Sequence, residues 1–254
     1  MRPIYQNPQL DGATFFLRGT RDTGVILFHG FTATTVEVRP LAEYLNQAGY
    51  FTAAPLLPGH GTTPEQALKI HRQDWLATAE DAYQKMVTQV PKIVVGGESM
   101  GALLALHLAK IHHEILGVLL FAPAIKVKNL WQAPLIAPFI RIRPKDYLPD
   151  EDQTQDVLPW QGYNVLPVPT LAQFYRLQQQ VVQDLESIQQ PVLIFQGGKD
   201  KTVETHGAIY LREKLSSVNK EIIWLENSGH ALLLGVDHPE VYRKSLEFIA
   251  QVTK

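Results

Sequence analysis

The feature that most constrains this chain is the pentapeptide Gly97-Glu98-Ser99-Met100-Gly101. It follows an apolar β-type run at 92–96 and opens directly into a helical run at 102–111. A serine on so tight a strand-to-helix turn adopts a strained backbone, and small flanking residues let strand and helix approach. The pattern G-x-S-x-G in that context marks an exposed nucleophile. It also commits the surrounding chain to a βαβ arrangement.

The rest of the sequence agrees. Short apolar runs at 25–29, 51–57, 117–122, 191–196 and 221–226 read as strands covered on both faces, with 15–18 as a weaker edge strand. Helical periodicity occupies 38–48 and 75–90, the latter with Asp74 placed as N-cap. A last helix opens at Asp237-His-Pro-Glu240, which reads as a capping box. This alternation predicts an α/β fold, a mostly parallel sheet with helices on both faces. Eight of the 17 prolines fall within 123–169, beside many large apolar residues. We read residues 126–170 as a cap of short helices and turns over the sheet's end, with 1–125 and 171–254 forming the core. A further helix is expected from Thr170, after Pro169.

Composition narrows the function. With 254 residues and 45% hydrophobic content, the chain supports a substantial core. A net charge of −2 gives no field for nucleic acid. No cysteine is present, so thiol nucleophiles and thiolate metal sites are out. The N-terminal residues resemble no signal peptide and no apolar run spans a bilayer, so a cytoplasmic protein without stable membrane insertion is expected.

A serine hydroxyl needs a base. Among nine histidines, His230 is chosen because it sits on a loop after the carboxyl end of a strand and before the last helix, where ligands gather in open α/β sheets. The orienting carboxylate is assigned to Asp200, after the strand at 191–196, with Glu226 as runner-up and Asp237 as a cap. Oxyanion donors are expected from the backbone N–H groups of Phe31 and Met100. His29 and His60 read as braces of glycine turns, and neither has the H-x-x-x-H or carboxylate spacing of a metal site, so no metal is expected. A carboxylate at Glu98 lifts the proton affinity of the histidine if it points inward, and does nothing if solvated. The apolar cap suggests Phe31, Trp131, Ile136, Phe139 and Tyr163 as substrate-binding residues; its other readings are a dimer surface or a membrane-contact patch.

The stretches His29-Gly-Phe-Thr32, Val38-Arg-Pro-Leu-Ala-Glu-Tyr-Leu45, Pro58-Gly-His-Gly61 with Asp74-Trp75, Gly97–Gly101, Gly197–Asp200 and Ser228-Gly-His230 resemble the α/β-hydrolase superfamily. Within it they resemble small bacterial carboxylesterases and monoacylglycerol lipases. The resemblance implies a central parallel sheet, a small cap, and hydrolysis of carboxylic esters without a cofactor; short to medium acyl chains or monoacylglycerols are the expected substrates, and a monomer or homodimer is expected. It places nucleophile, acid and base on Ser99, Asp200 and His230, and oxyanion donors on Phe31 and Met100. Too few residues precede Val25 for the superfamily's eight strands, so seven are expected. Three other readings are an epoxide hydrolase or dehalogenase, which Ser99 opposes; an aminopeptidase using Asp146, Asp150, Glu151 and Asp152; and a non-catalytic scaffold.

Overall fold

The computed structural model describes residues 4–145 and 158–254. A short strand β1 (Tyr5–Gln6) and an edge strand β2 (Phe15–Leu17) precede β3 (Thr23–Phe28). Helix α1 (Arg39–Gln47) leads to β4 (Phe51–Ala54). The one-turn α2 (Pro64–Ala67) and the longer α3 (Arg72–Val87) lead to β5 (Lys92–Glu98). Helix α4 (Met100–Ile111) returns the chain to β6 (Gly117–Phe121). After it come α5 (Ala133–Ile136), β7 (Ile142–Pro144), β8 (Gly162–Tyr163) and β9 (Val165–Pro167). The chain closes with α6 (Val168–Asp184), β10 (Val192–Gly197), α7 (His206–Lys214), β11 (Lys220–Leu225) and α8 (His238–Val252).

Seven strands form the central sheet in the order β11-β10-β6-β5-β3-β4-β2. All neighbours are parallel except the antiparallel edge pair β2–β4. The inner strands β3, β6 and β10 are buried along their whole length, which is why they read as continuous apolar runs rather than alternating ones. Trp75, Met86, Leu104, Leu177 and Leu211 pack α3, α4, α6 and α7 on one face. Leu41, Leu45, Val241 and Ile249 pack α1 and α8 on the other. Strand β5 lies in the middle, so its carboxyl end, where Ser99 follows, opens at the centre of the sheet's edge.

Several boundaries differ from the sequence reading. Strand β4 stops at Ala54, because Pro55 has no N–H to continue the ladder. Helix α3 starts three residues early, at Arg72, with His71 as N-cap. Asp74 is then the third helical residue, and its carboxylate accepts the His71 N–H at 2.8 Å. Asp237 caps nothing with its side chain; its Oδ2 accepts from Ser228 Oγ at 2.7 Å. Helix α6 begins at Val168 with Pro169 inside its first turn, a place proline tolerates. Helix α7 was not anticipated.

Between β6 and α6 the chain, over its described residues 122–145 and 158–167, borders the carboxyl end of the sheet. Its return is stitched to the N-terminal residues. Strand β8 pairs antiparallel with β1, Gly162 bridges Ala33, and the Gln161 amide donates to the Asn7 and Leu10 carbonyls. The acids Asp146, Asp150, Glu151 and Asp152 lie outside the described residues.

Candidate active site

The turn between β5 and α4 holds Ser99 at φ 56°, ψ −112°, a conformation that a non-glycine residue adopts only under constraint from its surroundings. The constraint is visible. Ser99 donates its N–H to the Phe121 carbonyl at 2.9 Å, and its own carbonyl accepts from Ala124 at 3.2 Å. A Cβ built on Gly97 would lie 2.3 Å from the Gly101 backbone, and one on Gly101 would lie 2.0 Å from the Phe28 carbonyl oxygen. Only glycine lets the turn pack this closely.

Asp200 follows β10 with its side chain fully buried. Its Oδ1 accepts the Thr202 and Val203 N–H groups at 2.8 and 2.9 Å. Its Oδ2 accepts from Gln196 at 3.3 Å and from His230 Nδ1 at 2.8 Å. That last bond leaves His230 Nε2 free to act as a base toward the cavity it shares with Ser99. Burial acts to raise the Asp200 pKa, but the charge and hydrogen bond of His230 and the two amides outweigh it, and the carboxyl sits below its ordinary value. For His230, burial acts downward; the Asp200 charge and hydrogen bond, with a smaller push from Glu37, carry the net shift upward. Glu226 is exposed. Asp237, through Ser228, ties down the loop that carries His230.

The loop after β3 turns at Gly30 and Phe31. A Cβ on Gly30 would meet Ser99 Cβ at 3.3 Å, so this loop lies directly against the serine. Met100 is the first residue of α4, where the N–H has no intrahelical acceptor and the helix dipole favours negative charge. His29 is wholly buried. Its Nδ1 lies 2.9 Å from the Gly30 carbonyl and its Nε2 accepts the Leu57 N–H at 3.1 Å. Burial, aided by His60, holds it well below the usual imidazole pKa. His60, pushed by burial down to about 4, bonds the Leu57 and Pro58 carbonyls. Both are neutral struts of the loops they sit on. Trp75 Nε1 donates to the Pro58 carbonyl at 3.0 Å, which ties the Pro58–Gly61 loop to α3.

A cavity of about 310 Å³ opens over Ser99 and His230. Phe31, Leu130, Leu166, Leu171 and Phe174 supply apolar wall, and Lys128, Arg143, Lys145 and Lys201 also border it. Of the five expected substrate-binding side chains, only Phe31 lines this cavity. Trp131 and Phe139 are 57% and 86% exposed on the outer surface of the β6–α6 segment, and Ile136 is half-buried away from the cavity. The short helices turn their neighbours Leu130 and Gln132 inward instead. Tyr163 is buried, with its hydroxyl bonded to Thr62 N at 2.9 Å and to the Gly59 carbonyl at 3.2 Å. It braces the Gly59–Thr62 turn.

Two buried glutamates border the site. Glu98 points inward, and its Oε1 accepts the Leu232 N–H at 2.5 Å and the Leu233 N–H at 3.3 Å, just beyond His230. Burial, reinforced by the charge of Glu37, pushes its carboxyl well above the ordinary range. Glu37 was not anticipated. Between Val36 and Val38 an extended chain would aim it outward, but the short 3-10 turn Thr35–Glu37 buries it. Trp160, which donates to Glu37, was missed for want of any local pattern.

Residues 19–237 match the family described as serine aminopeptidase, S33. The chain is 35% identical over 246 residues to the thermostable monoacylglycerol lipase of Bacillus sp. (strain H-257), covering 97% of this chain and 98% of the lipase. It is 26% identical over 235 residues to a carboxylesterase of Bacillus subtilis (strain 168), covering 91% of this chain and 94% of the relative. Among solved structures, one from the study of the metagenome-derived lipolytic enzymes LipS and LipT superposes with a TM-score of 0.88 at 27% identity, over 94% of this chain and 98% of the other. With the seven-stranded sheet and the strand–turn–helix at Ser99, these matches identify the chain as an α/β hydrolase belonging to the serine aminopeptidase S33 family.

Proposed function

We propose that this protein is a serine hydrolase of small carboxylic esters, working through an acyl-enzyme on Ser99. The observation that carries the reading is the 2.8 Å bond from His230 Nδ1 to buried Asp200, with Ser99 and His230 bordering one cavity. The full-length likeness to a monoacylglycerol lipase and a carboxylesterase supports ester rather than amide chemistry.

His230 Nε2 takes the proton of Ser99 as Oγ attacks the ester carbonyl. The carbonyl electron pair moves onto oxygen, which the Phe31 and Met100 N–H groups hold. Collapse of the tetrahedral intermediate breaks the ester C–O bond, and the imidazolium, held by Asp200, protonates the departing alkoxide. Water, deprotonated by His230, then adds to the acyl-enzyme and releases the acid. The residues needed are all side chains and amides of this chain, so no cofactor is called for.

A cavity of about 310 Å³ is at the low end of the roughly 300–1,000 Å³ usual for ligand sites. It suits short or medium acyl chains. Monoacylglycerol is the narrower reading: a mainly apolar wall would take the acyl chain, while the lysines, Asn129 and Thr202 offer hydrogen bonds to glycerol hydroxyls. Initial rates with p-nitrophenyl butyrate test the reading. Wild-type turnover should fall by at least about 10³-fold in Ser99→Ala. Equal rates in both proteins would reject the serine, and turnover of amino-acid arylamides but not esters would favour a peptidase. A series of p-nitrophenyl esters beside monoacylglycerol and triacylglycerol measures the chain-length preference, and a rate rising steadily to insoluble triglyceride would refute it.

A further inference from the structure

The steps above make no use of Glu37, a nearly fully buried carboxylate on the wall of the same cavity. Its Oε2 accepts the Gly30 N–H at 2.5 Å and its Oε1 accepts Trp160 Nε1 at 3.2 Å. Gly30 immediately precedes Phe31, the proposed oxyanion donor. A Cβ on Gly30 would lie 3.1 Å from Glu37 Oε2 and 3.3 Å from Ser99 Cβ, so the carboxylate and the serine both pack against Gly30. One side chain therefore fastens the donor loop and the returning segment at Trp160, and presents an acid to the space that holds His230.

Hydrogen bonding alone would not require a charge. A neutral amide could accept the Gly30 N–H at a lower desolvation cost than a buried carboxylate. Among the described residues, the titratable groups around it are these: Lys145 faces both Glu37 and His230; Asp200 faces His230; Glu98 faces Glu37; and Lys128, Arg143 and Lys201 stand on the cavity wall. Burial pushes the Glu37 carboxyl above its ordinary value, while the Gly30 N–H, the His230 charge and the Trp160 bond pull it back toward ionisation; when His230 takes the serine proton, the new imidazolium has Asp200 hydrogen-bonded to Nδ1 and Glu37 on the wall of the same cavity.

We propose that Glu37 is a positioning residue of this site, fixing the oxyanion-donor loop through the Gly30 N–H and stabilising the His230 imidazolium with a second negative charge. The proposal rests on the serine-esterase reading above. Its direction follows from charge: an anion near an imidazole favours the protonated form. Removing that anion lowers the pKa of His230, and the acid limb of kcat/KM moves to lower pH because the base must be neutral to act.

The test is the pH profile of p-nitrophenyl butyrate hydrolysis for the wild type, Glu37→Gln and Trp160→Phe, beside the titration of the His230 imidazole followed by ¹⁵N NMR. Glu37→Gln should move the limb and the titration down by about one pH unit. It should also lower plateau kcat about ten-fold while KM stays within about two-fold, since the donor loop holds charge that develops only in the transition state. Trp160→Phe leaves the carboxylate but frees one oxygen, which weakens its ionisation, so both readouts should move the same way by less. That variant keeps the test available if Glu37→Gln fails to fold. A purely structural Glu37 would lower stability and leave the limb and the titration unmoved, and that result overturns the proposal. An NMR shift without Ser99-dependent turnover would instead refute the esterase reading and leave the Glu37–His230 coupling standing.

Discussion

Ser99, Asp200 and His230 are far apart in sequence, yet each follows or lies just beyond a parallel strand, and that shared position made them legible. Glu37 and Trp160 were not legible, because their meaning comes from a contact spanning 123 residues. The inward side chains of the β6–α6 segment were assigned by size and hydrophobicity, whereas short helices expose one residue and bury the next, as Trp131 and Leu130 do. At this scale the sharpest prediction concerns Asp200→Asn. An amide in place of Oδ2 favours the wrong His230 tautomer, and kcat should fall about 10⁴-fold, as when a triad aspartate is neutralised in a serine protease. Steady-state kinetics on p-nitrophenyl butyrate would show it, and a loss under ten-fold would mean that Asp200 does not orient the base. Wild-type kcat/KM should itself fall as pH drops through the His230 pKa, at a limb above the ordinary 6.5.

Among elements, the turn from β5 into α4 shows why local sequence can specify a site. Gly97 and Gly101 are set by backbone atoms across the turn and not by anything a ligand does. Gly101→Ala would force its methyl into the Phe28 carbonyl region, so we expect a loss of about 3 kcal/mol or more in urea unfolding, or no soluble protein. A loss below about 0.5 kcal/mol would show that strand and helix can separate without harm. Strands were legible because burial on both faces writes itself as apolar runs. Helix α7 was not, since Gly207, Ala208 and Leu211 are its only buried residues and make a faint stripe. On α6, Leu171 lines the cavity, so Leu171→Trp should cut kcat/KM for octanoate esters about ten-fold more than for acetate esters. Equal losses would place the acyl chain elsewhere.

The whole molecule carries buried acid that the formal net charge of −2 counts as ionised. Glu98 is fully buried with its pKa raised far above 4.5, so the folded state holds this proton more tightly than the unfolded chain. The stability that proton gives is complete below about pH 4.5 and is lost as pH rises toward the folded pKa. Glu98→Gln keeps an acceptor for the Leu232 and Leu233 N–H groups without the ionisation. Its unfolding free energy in urea should gain on the wild type as pH rises above about 4.5, by up to about 1.4 kcal/mol per pH unit. Parallel curves would show that Glu98 ionises in the folded protein at no cost. The central claim is that Ser99 is the nucleophile of an ester hydrolase. It is tested most directly by titrating the protein with a fluorophosphonate and mapping the adduct by peptide mass. We predict one label per chain, on Ser99, with esterase activity lost in proportion to labelling. A fully labelled protein that still hydrolyses p-nitrophenyl butyrate, or a label borne by another residue, would contradict it.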